Sequence, residues 1–501
     1  MEEQPRSNLD EAPVLVAGAT GYVGGRLVPE LLEHGHRVRA LARRPAKLEG
    51  RAFAADPALE VVRGDVTDAA TLAPALAGVR TAYYLVHSMG SARDFSGADL
   101  HAARTFAGAC ARAGVERIIY LGGLGSEDDE HLSPHLRSRH DTGDALREAG
   151  VPVTELRAGI VVGSGSASFD IVLDLVRHLP VMVSPRWVRS RCEPIAIRDV
   201  TWYLRRVLDE PRTVGEVLEV GSGDVHAYED LLRICAEELG VPYRNLVVPV
   251  LTPRLSSWWL HLVTSVDHQV ARPLVEGLRS DTVCHDTRIR EWLPRELSTY
   301  RTAVRRALAK ELAPSVRESR WTDAERRARR SDAPRRSRLR LYPGREELRD
   351  YRTFETDLEP DELYRRIARI GGEHGYGRRA DPLWRLRGAL DRLAGGPGLR
   401  RGRPFGDELH EGDAVDFWRV ERVEHGRRLQ LVAEMRVPGT ARLELRVEPR
   451  EQGGSRLHQV ATLTNSSIWS GLYWGAIAPI HDPVFDQLGR HLVGGEHVLD
   501  R

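Results

Sequence analysis

From Pro13 to about Val162, short apolar runs alternate with stretches of helical spacing. The runs Val14–Ala17, Arg37–Ala42, Leu59–Arg63, Thr81–Val86, Arg117–Leu121 and Val153–Arg157 predict strands. Between them, Val23, Leu27, Leu31 and Leu32 can share one helix face, as can Leu72, Leu76 and Val79. Strand–helix alternation of this length predicts an α/β fold, a doubly wound parallel sheet covered on both faces.

Beyond Gly163 the pattern loosens. PIAIRDVTWYLRRVL reads as a short strand and a helix, EVLEVGSG as a strand ending in a turn, and YEDLLRICAEELG as an amphipathic helix closed by Gly240. The region to Ala309 is expected to form a small substrate lobe on the C-terminal edge of the sheet. Residues 317–340 hold ten Arg and four acidic residues, which reads as a solvated linker or exposed helix, with an anion- or nucleic-acid-binding arm as the alternative. From about Asp350 the texture changes again. DYRTFETDL predicts a strand, and EPDELYRRIARI a helix with Pro360 near its start. DAVDFWRVERVEHG, RRLQLVAEMRV, ARLELRVEPRE and SRLHQVATLTN predict alternating strands, and the chain from Trp469 a helix. This order predicts an α+β domain whose curved sheet grips a terminal helix. The expected boundaries are a disordered segment 1–12, a dinucleotide domain 13–310 with its lobe from about 163, a linker 311–345 and a final domain 346–501.

Composition narrows the classes. The 501 residues include 73 basic and 72 acidic ones, so the net charge of +1 offers no global field for nucleic acid or anionic lipid. The four cysteines, Cys110, Cys192, Cys235 and Cys284, form no CxxC or Cys/His cluster, so a disulfide scaffold or structural zinc is not supported. The polar start MEEQPRSNLDEAP is unlike a signal peptide, and no run of about 18 apolar residues occurs. A cytoplasmic location is expected, with no membrane span, nucleic acid or metal.

The candidate chemistry begins at VLVAGATGYVGGRLV. Gly18 permits a sharp turn out of the first strand, Gly21 a close approach to a pyrophosphate, and Gly24 close helix–sheet packing. The helix that follows offers free N–H groups and the positive end of its dipole. Expected cofactor contacts are Gly18, Thr20, Gly21, Tyr22, Val23 and Gly24, then Val66 and Val86 after the third and fourth strands. At the end of the second strand, where an NAD site places a carboxylate, stand Arg43 and Arg44. Either can pair with a 2′-phosphate, so NADP is favoured over NAD, although both could simply face solvent. Asp65 can read the adenine or cap the segment after it.

GATGYVG, RRPAK, GDVTD and their spacing resemble the atypical branch of the short-chain dehydrogenase/reductase superfamily, which includes NmrA-like and sugar-epimerase-like proteins. PGTARLEL and IWSGLYWGAIAPIHDPVF resemble the DUF2867 domain, itself similar to the START/SRPBCC helix-grip fold whose cavity commonly holds apolar ligands. The resemblance implies a Rossmann domain with NAD(P), and a Ser, Tyr, Lys set with spacing YxxxK. Here the chain departs from the pattern. Gly122 and Gly123 occupy the serine positions, with Ser126 just beyond, and spacing puts His135 and Arg139 where Tyr and Lys would be. Arg139 can bind ribose or phosphate but does not deprotonate. His135 can act as an acid near neutral pH, with His140 a competing candidate.

Tyr83, Tyr84 and His87 close the fourth strand, where ligands bind in doubly wound sheets. His87 is the first proton donor to test. Tyr84, Ser88, Ser164, Ser166 and Ser168 are candidate substrate contacts. Trp258, Trp259, Leu262 and Val263 can pack in the core or against the C-terminal domain, close a pocket or touch a membrane surface. Trp418, Trp469, Tyr473 and Trp474 can fill a cavity or line one for a flat apolar ligand, with His481 and Asp482 as polar groups or a turn. Two functions remain in view. One is an NADP(H)-dependent oxidoreductase acting on a small apolar or cyclic carbonyl or alkene. The other is an inactive NADP(H)-sensing or scaffold protein with a lipophilic-ligand module. Epimerase or lyase chemistry is less favoured, since it uses the same tyrosine.

Overall fold

The computed structural model of the protein describes residues 12–48, 51–87, 95–125, 132–179, 181–248, 280–312, 347–372, 375–376, 409–435, 440–450, 453–464 and 483–494. The N-terminal tail, the Arg-rich segment 317–340, Ser88, Ser126, the Trp258–Val263 patch, Trp469, Tyr473, Trp474, His481 and Asp482 lie outside these residues. The chain divides into two compact units, the bulk of one ending at Lys310 and the bulk of the other beginning at Ala333.

In the first unit seven strands form one sheet: β1 (Val14–Ala17), β2 (Val38–Ala42), β3 (Leu59–Arg63), β4 (Thr81–Tyr84), β5 (Arg117–Gly123), β6 (Val153–Ala158) and β7 (Val217–Val220). Their order is β7-β6-β5-β4-β1-β2-β3, and every pairing is parallel. Side chains alternate across each strand, so both faces of a covered sheet must be apolar. Val14 and Val16 join a core with Leu27 and Leu31 of α1 (Gly24–Glu33) and Val200, Leu204 and Val207 of α6 (Ile197–Asp209). Leu15 and Ala17 face the other way, onto Leu72 and Leu76 of α2 (Ala69–Leu76), Phe106 and Cys110 of α3 (Phe95–Ala113) and Leu146 of α4 (Pro134–Arg147). Each fully buried Leu or Val contributes about 2 kcal/mol. The strand order reverses between β1 and β4, which opens a crevice at their C-terminal ends.

The helix ends follow local rules. Asp68 caps α2 by accepting from the Ala70 amide, and Ser133 caps α4 ahead of Pro134. Gly240, at φ 68°, ends α7 (Tyr228–Leu239) in the left-handed conformation. The region after Gly163, expected as a small lobe on the C-terminal edge of the sheet, also contributes to the sheet itself. It sends α6 and β7 back to the main sheet, where Val217–Val220 pairs with β6 as the seventh strand. The strand pattern was legible, but its partner lies about sixty residues back and no local pattern records it. Outside that sheet the region holds α5 (Ala167–His178), α7, the parallel pair Val181–Pro185 with Arg244–Val248 and two shorter strand pairs, Val161–Val162 with Ile195–Ala196 and Arg191–Cys192 with His226–Ala227.

The second unit is an antiparallel sheet of β8 (Glu347–Thr356), β9 (Ala414–Val415), β10 (Trp418–Glu424), β11 (Arg428–Ala433), β12 (Thr440–Pro449) and β13 (Ser455–Thr464), in the order β8-β13-β12-β11-β10-β9. One face carries Phe354, Leu457, Leu443, Leu445 and Leu429, and packs against Leu363 and Ile367 of α9 (Pro360–Ala368; α8 is Tyr300–Leu312) and Val484, Phe485, Leu488 and Leu492 of a helix at 483–493. That last helix comes very close to β8, since a Cβ on Gly489 would stand 2.0 Å from the Phe354 ring. Gln459 ties it further by donating to the Phe485 carbonyl at 2.8 Å. This is the helix-grip arrangement. Trp418, 3% exposed and 4.9 Å from the Phe417 ring, belongs to its packed core.

Candidate functional site

β1 leads directly into the glycine loop. Gly18 has φ 96°, and a Cβ there would stand 2.5 Å from the Leu85 carbonyl oxygen. Gly24 opens α1 so near the turn that its Cβ would lie 2.3 Å from the Gly18 oxygen. Gly21 is different. Its Cβ would meet only the Gly18 oxygen, at 3.2 Å, with open space otherwise. That space is the cradle a side chain would fill and a pyrophosphate can occupy. The first turn of α1 carries no acidic residue, so the positive dipole end is left for an anion. Thr20 is buried, and Val23 precedes the first helical residue. Tyr22 lies under the Arg26 guanidinium, 4.2 Å from its ring centre. Arg26 in turn donates to the carbonyls of Ser164 at 2.8 Å and Tyr22 at 3.1 Å, which ties α1 to the loop before α5.

At the other end of the cradle, β2 delivers Arg43 and Arg44 to the surface, both exposed. Arg43 lies 3.7 Å from the Asp65 carboxylate after β3. The second Asp65 oxygen accepts from the amide and hydroxyl of Thr67 at 3.0 and 2.9 Å. Asp65 therefore organises its own turn and steadies Arg43, while Asp68 is the residue that caps α2. Arg44 has no ion-pair partner among the described residues. Val66 is buried in the core beside α2, and Val86 packs at its margin.

The C-terminal ends of β4 and β5 assemble a second cluster. His87 donates from Nδ1 to the buried Asp99 carboxylate on α3 at 2.9 Å. Burial pulls the His87 pKa below its ordinary value, and the Asp99 hydrogen bond opposes this. The His135 ring, in the first turn of α4, lies 5.0 Å from that of His87. Its pKa falls well below the ordinary value through burial, with His87 and Arg139 adding to the effect. Arg139 donates to the Leu121 carbonyl and sits over the Tyr120 ring, 5.4 Å from its centre. His140 points elsewhere, with Nε2 3.0 Å from the Gly123 carbonyl oxygen, which removes it from the cluster. The fold thus brings His87, His135 and Arg139 to neighbouring strand and helix ends. Asp99 was missed, because twelve residues separate it from His87 and no spacing rule links strand end to helix face.

The missing serine has a structural counterpart. A Cβ on Gly122 would stand 2.8 Å from Glu155 Oε1, and one on Gly143 would stand 2.3 Å from Oε2. Glu155 is fully buried and pairs with Arg157 at 2.8 Å and Arg147 at 2.5 Å. The glycines make room for this buried charge cluster.

The expected substrate contacts are distributed differently. Tyr84 is 1% exposed and packs 5.1 Å from the Phe106 ring, so its place is in the core between β4 and α3. This corrects the expectation of a ligand contact. The side chain at that strand position alternates onto a helix-covered face. The Ser166 hydroxyl donates to the Val161 carbonyl at 2.7 Å, so it closes its own turn. Ser164 and Ser168 are half-buried, the former with its carbonyl held by Arg26.

Among the described residues no helix is long and apolar enough to cross a membrane, and no group of three His, Cys, Asp or Glu could hold a metal ion.

A parallel sheet with a strand-order reversal, a cradle left open by Gly21 and an acid-free helix start define an NAD(P)-binding Rossmann domain. Residues 18–171 match the family model described as NAD(P)H-binding, and residues 343–488 match that of DUF2867, a protein domain of unknown function. A (4-alkanoyl-5-oxo-2,5-dihydrofuran-3-yl)methyl phosphate reductase of Streptomyces griseus subsp. griseus is 30% identical over 224 residues, covering 40% of this chain and 74% of the reductase. The chain belongs to the NAD(P)H-binding family, with a DUF2867 domain following. A 3 beta-hydroxysteroid dehydrogenase/Delta 5-->4-isomerase of Mycobacterium tuberculosis is 39% identical over 120 residues, 21% of this chain and 30% of the relative. The chain thus spans less than a third of the length of that relative. The Citrobacter sp. triphenylmethane reductase complexed with NADP(H) is 18% identical, with a TM-score of 0.48 over 59% of this chain and 99% of its own.

Proposed function

We propose that the protein is an NADP(H)-dependent oxidoreductase that interconverts an alcohol and a carbonyl, or saturates an activated alkene, on a small apolar or cyclic substrate. Bound NADP(H) supplies or accepts the hydride. The observation that carries the reading is the His87–Asp99 pair beside the strand-order reversal. Asp99 holds the Nδ1–H of His87 and so fixes the tautomer in which Nε2 offers its lone pair. That Nε2 is buried, and it has no hydrogen-bond partner among the described residues. In oxidation Nε2 takes the hydroxyl proton, and in reduction the imidazolium returns it to the developing alkoxide. Because burial lowers the His87 pKa, the neutral, proton-accepting form prevails at pH 7. His135 supplies a second neutral imidazole along which the proton can leave. Arg139, a permanent cation at the same strand ends, favours an oxyanion or the ribose.

The glycine loop residues Gly18, Thr20, Gly21, Tyr22, Val23 and Gly24 would hold the pyrophosphate, Val66 and Val86 the adenine and nicotinamide sides. Arg44 and the Asp65-steadied Arg43 would hold the 2′-phosphate, which makes NADP the preferred cofactor. Ser88, Ser164 and Ser168 remain candidate substrate contacts. Names of relatives, a reductase and a dehydrogenase, support hydride chemistry. The helix-grip architecture supports a role for the C-terminal domain in holding a lipophilic substrate.

One observation favours a second reading, that of a cofactor sensor or scaffold without turnover. The serine site is filled by Gly122 and the Glu155 cluster, and no YxxxK is present. An NADPH absorbance assay against a panel of ketones, aldehydes and enones separates the two. The first reading expects turnover with at least one compound and a loss of about 10²-fold or more in His87→Asn. Tight NADPH binding with no turnover across the panel would favour the sensor.

A further inference from the structure

The outer face of the C-terminal sheet carries a second constellation, unrelated to the dinucleotide site. Tyr351 on β8, His458 on β13 and Glu448 on β12 run diagonally across three neighbouring strands. The register places Tyr351 opposite Val460, His458 opposite Thr353 and Arg446, and Glu448 opposite Arg456, so all three side chains leave the same face. The alternate positions Phe354, Leu457 and Val447 point into the core. The Tyr351 hydroxyl lies 2.6 Å from His458 Nδ1, and His458 Nε2 lies 2.5 Å from a Glu448 carboxylate oxygen. The carboxylate must accept, so Nε2 carries the hydrogen. Nδ1 is then a lone-pair acceptor aimed at the phenol O–H. His458 is 6% exposed, whereas Tyr351 is 58% exposed, the most open large hydrophobic or aromatic side chain described. A shielded base held by a carboxylate thus addresses an accessible hydroxyl, the nucleophile–base–orienter order of a hydrolytic triad.

We propose that Tyr351 is an activated nucleophile that accepts acyl groups from activated esters or thioesters, with His458 as its general base and Glu448 as the positioning carboxylate. The Tyr351 Oη attacks the acyl carbon as its O–H proton passes to His458 Nδ1. The bond from acyl carbon to leaving group breaks, and the leaving group departs as an anion or takes that proton. The product is an O-acyl tyrosine, which water, activated by the same imidazole, can hydrolyse to a carboxylate and free Tyr351. Glu448 stabilises the transient imidazolium. The hydrogen bond from His458 keeps the Glu448 carboxyl below the usual range, so it stays ionised at neutral pH. Arg446, exposed and directly across from His458, adds a cation suited to an anionic acyl donor. None of this depends on the oxidoreductase reading.

The test treats the full chain with p-nitrophenyl acetate at pH 7.5, follows p-nitrophenolate and maps the acetyl group by peptide mass spectrometry. Acetylation of Tyr351 is expected at least about tenfold faster than that of N-acetyltyrosinamide under the same conditions, in line with positioned general-base catalysis. Tyr351→Phe should abolish the Tyr351-linked burst. His458→Gln should return the rate to that of the free amide, and Glu448→Gln should lower it with the far-ultraviolet spectrum unchanged. Glu448 is a surface residue, so that variant serves should His458→Gln fail to fold. Labelling elsewhere with Tyr351 unmodified, or a Tyr351 rate indifferent to both variants, would overturn the proposal.

Discussion

The 2′-phosphate assignment permits a quantitative test through Arg44. Its guanidinium is exposed and without an ion-pair partner among the described residues, while Arg43 is 49% exposed and shares its charge with Asp65 at 3.7 Å. A unit charge pair at about 4 Å is worth about 1 kcal/mol in water and about 4 kcal/mol at an effective dielectric near 20. These arginines are solvated, so the lower end governs. Arg44→Ala should then cost about 1.4 kcal/mol, a tenfold rise in the Kd for NADPH. NADH lacks the phosphate, and its Kd should stay within about twofold. Asp65→Asn removes a competing anion beside Arg43 and should tighten NADPH by about two- to threefold, by the same Coulomb reasoning. In about 1 M salt the Debye length shrinks to about 3 Å, and the Arg44 effect should largely vanish. Fluorescence titration of both cofactors at low and high salt reads all four quantities. Equal loss of NADPH and NADH affinity in Arg44→Ala would refute the phosphate contact.

Other outcomes follow from the same geometry. Burial lowers the His87 pKa, so its base form persists to acid pH. The kcat/KM for alcohol oxidation should be flat through neutrality and fall only below the ordinary histidine value. Asp99→Asn removes the influence that raises this pKa, so the acid limb should move to still lower pH while kcat drops, and an unmoved limb would count against the pair. Glu155→Ala removes the buried carboxylate that pairs with the buried Arg157 and the half-buried Arg147. It should cost about 3 kcal/mol in chemical denaturation of the first unit, and a cost under about 1 kcal/mol would mean the cluster is solvated. Gly489→Ala forces a methyl into the Phe354 ring and should destabilise the second unit by about 1–3 kcal/mol in the same experiment.

Much of the first unit was legible because its signals are local. Val14–Ala17 and Leu59–Arg63 emerge with the predicted bounds; Gly18 and Gly24 each meet a steric demand visible in a φ angle or Cβ surroundings, while Gly21 borders the open cradle. What escaped was long-range. The seat of β7 beside β6 depends on pairing across about sixty residues, and the Asp99 partner of His87 depends on how α3 lies on the sheet. Tyr84 was read as a ligand contact from its place near a strand end. The alternation of side chains decides otherwise, since that position faces α3. The glycines at the serine positions were visible, but their reason was not. Glu155, Arg147 and Arg157 are ordinary charged residues in the sequence, and only the fold brings them together beneath Gly122 and Gly143. In the second unit the alternating strands announced the sheet, whereas the diagonal meeting of Tyr351, His458 and Glu448 required its register.

Hydride transfer itself is the decisive quantity. NADPH deuterated at nicotinamide C4 on either face, incubated with the purified chain and the carbonyl and enone panel, labels the product wherever reduction occurs. Deuterium carried from one face only into at least one product, and lost with His87→Asn although NADPH still binds, is the outcome that proton transfer by His87 and Asp99 predicts. A chain that binds NADPH yet leaves every panel compound unlabelled, or labels one equally well without His87, would contradict it.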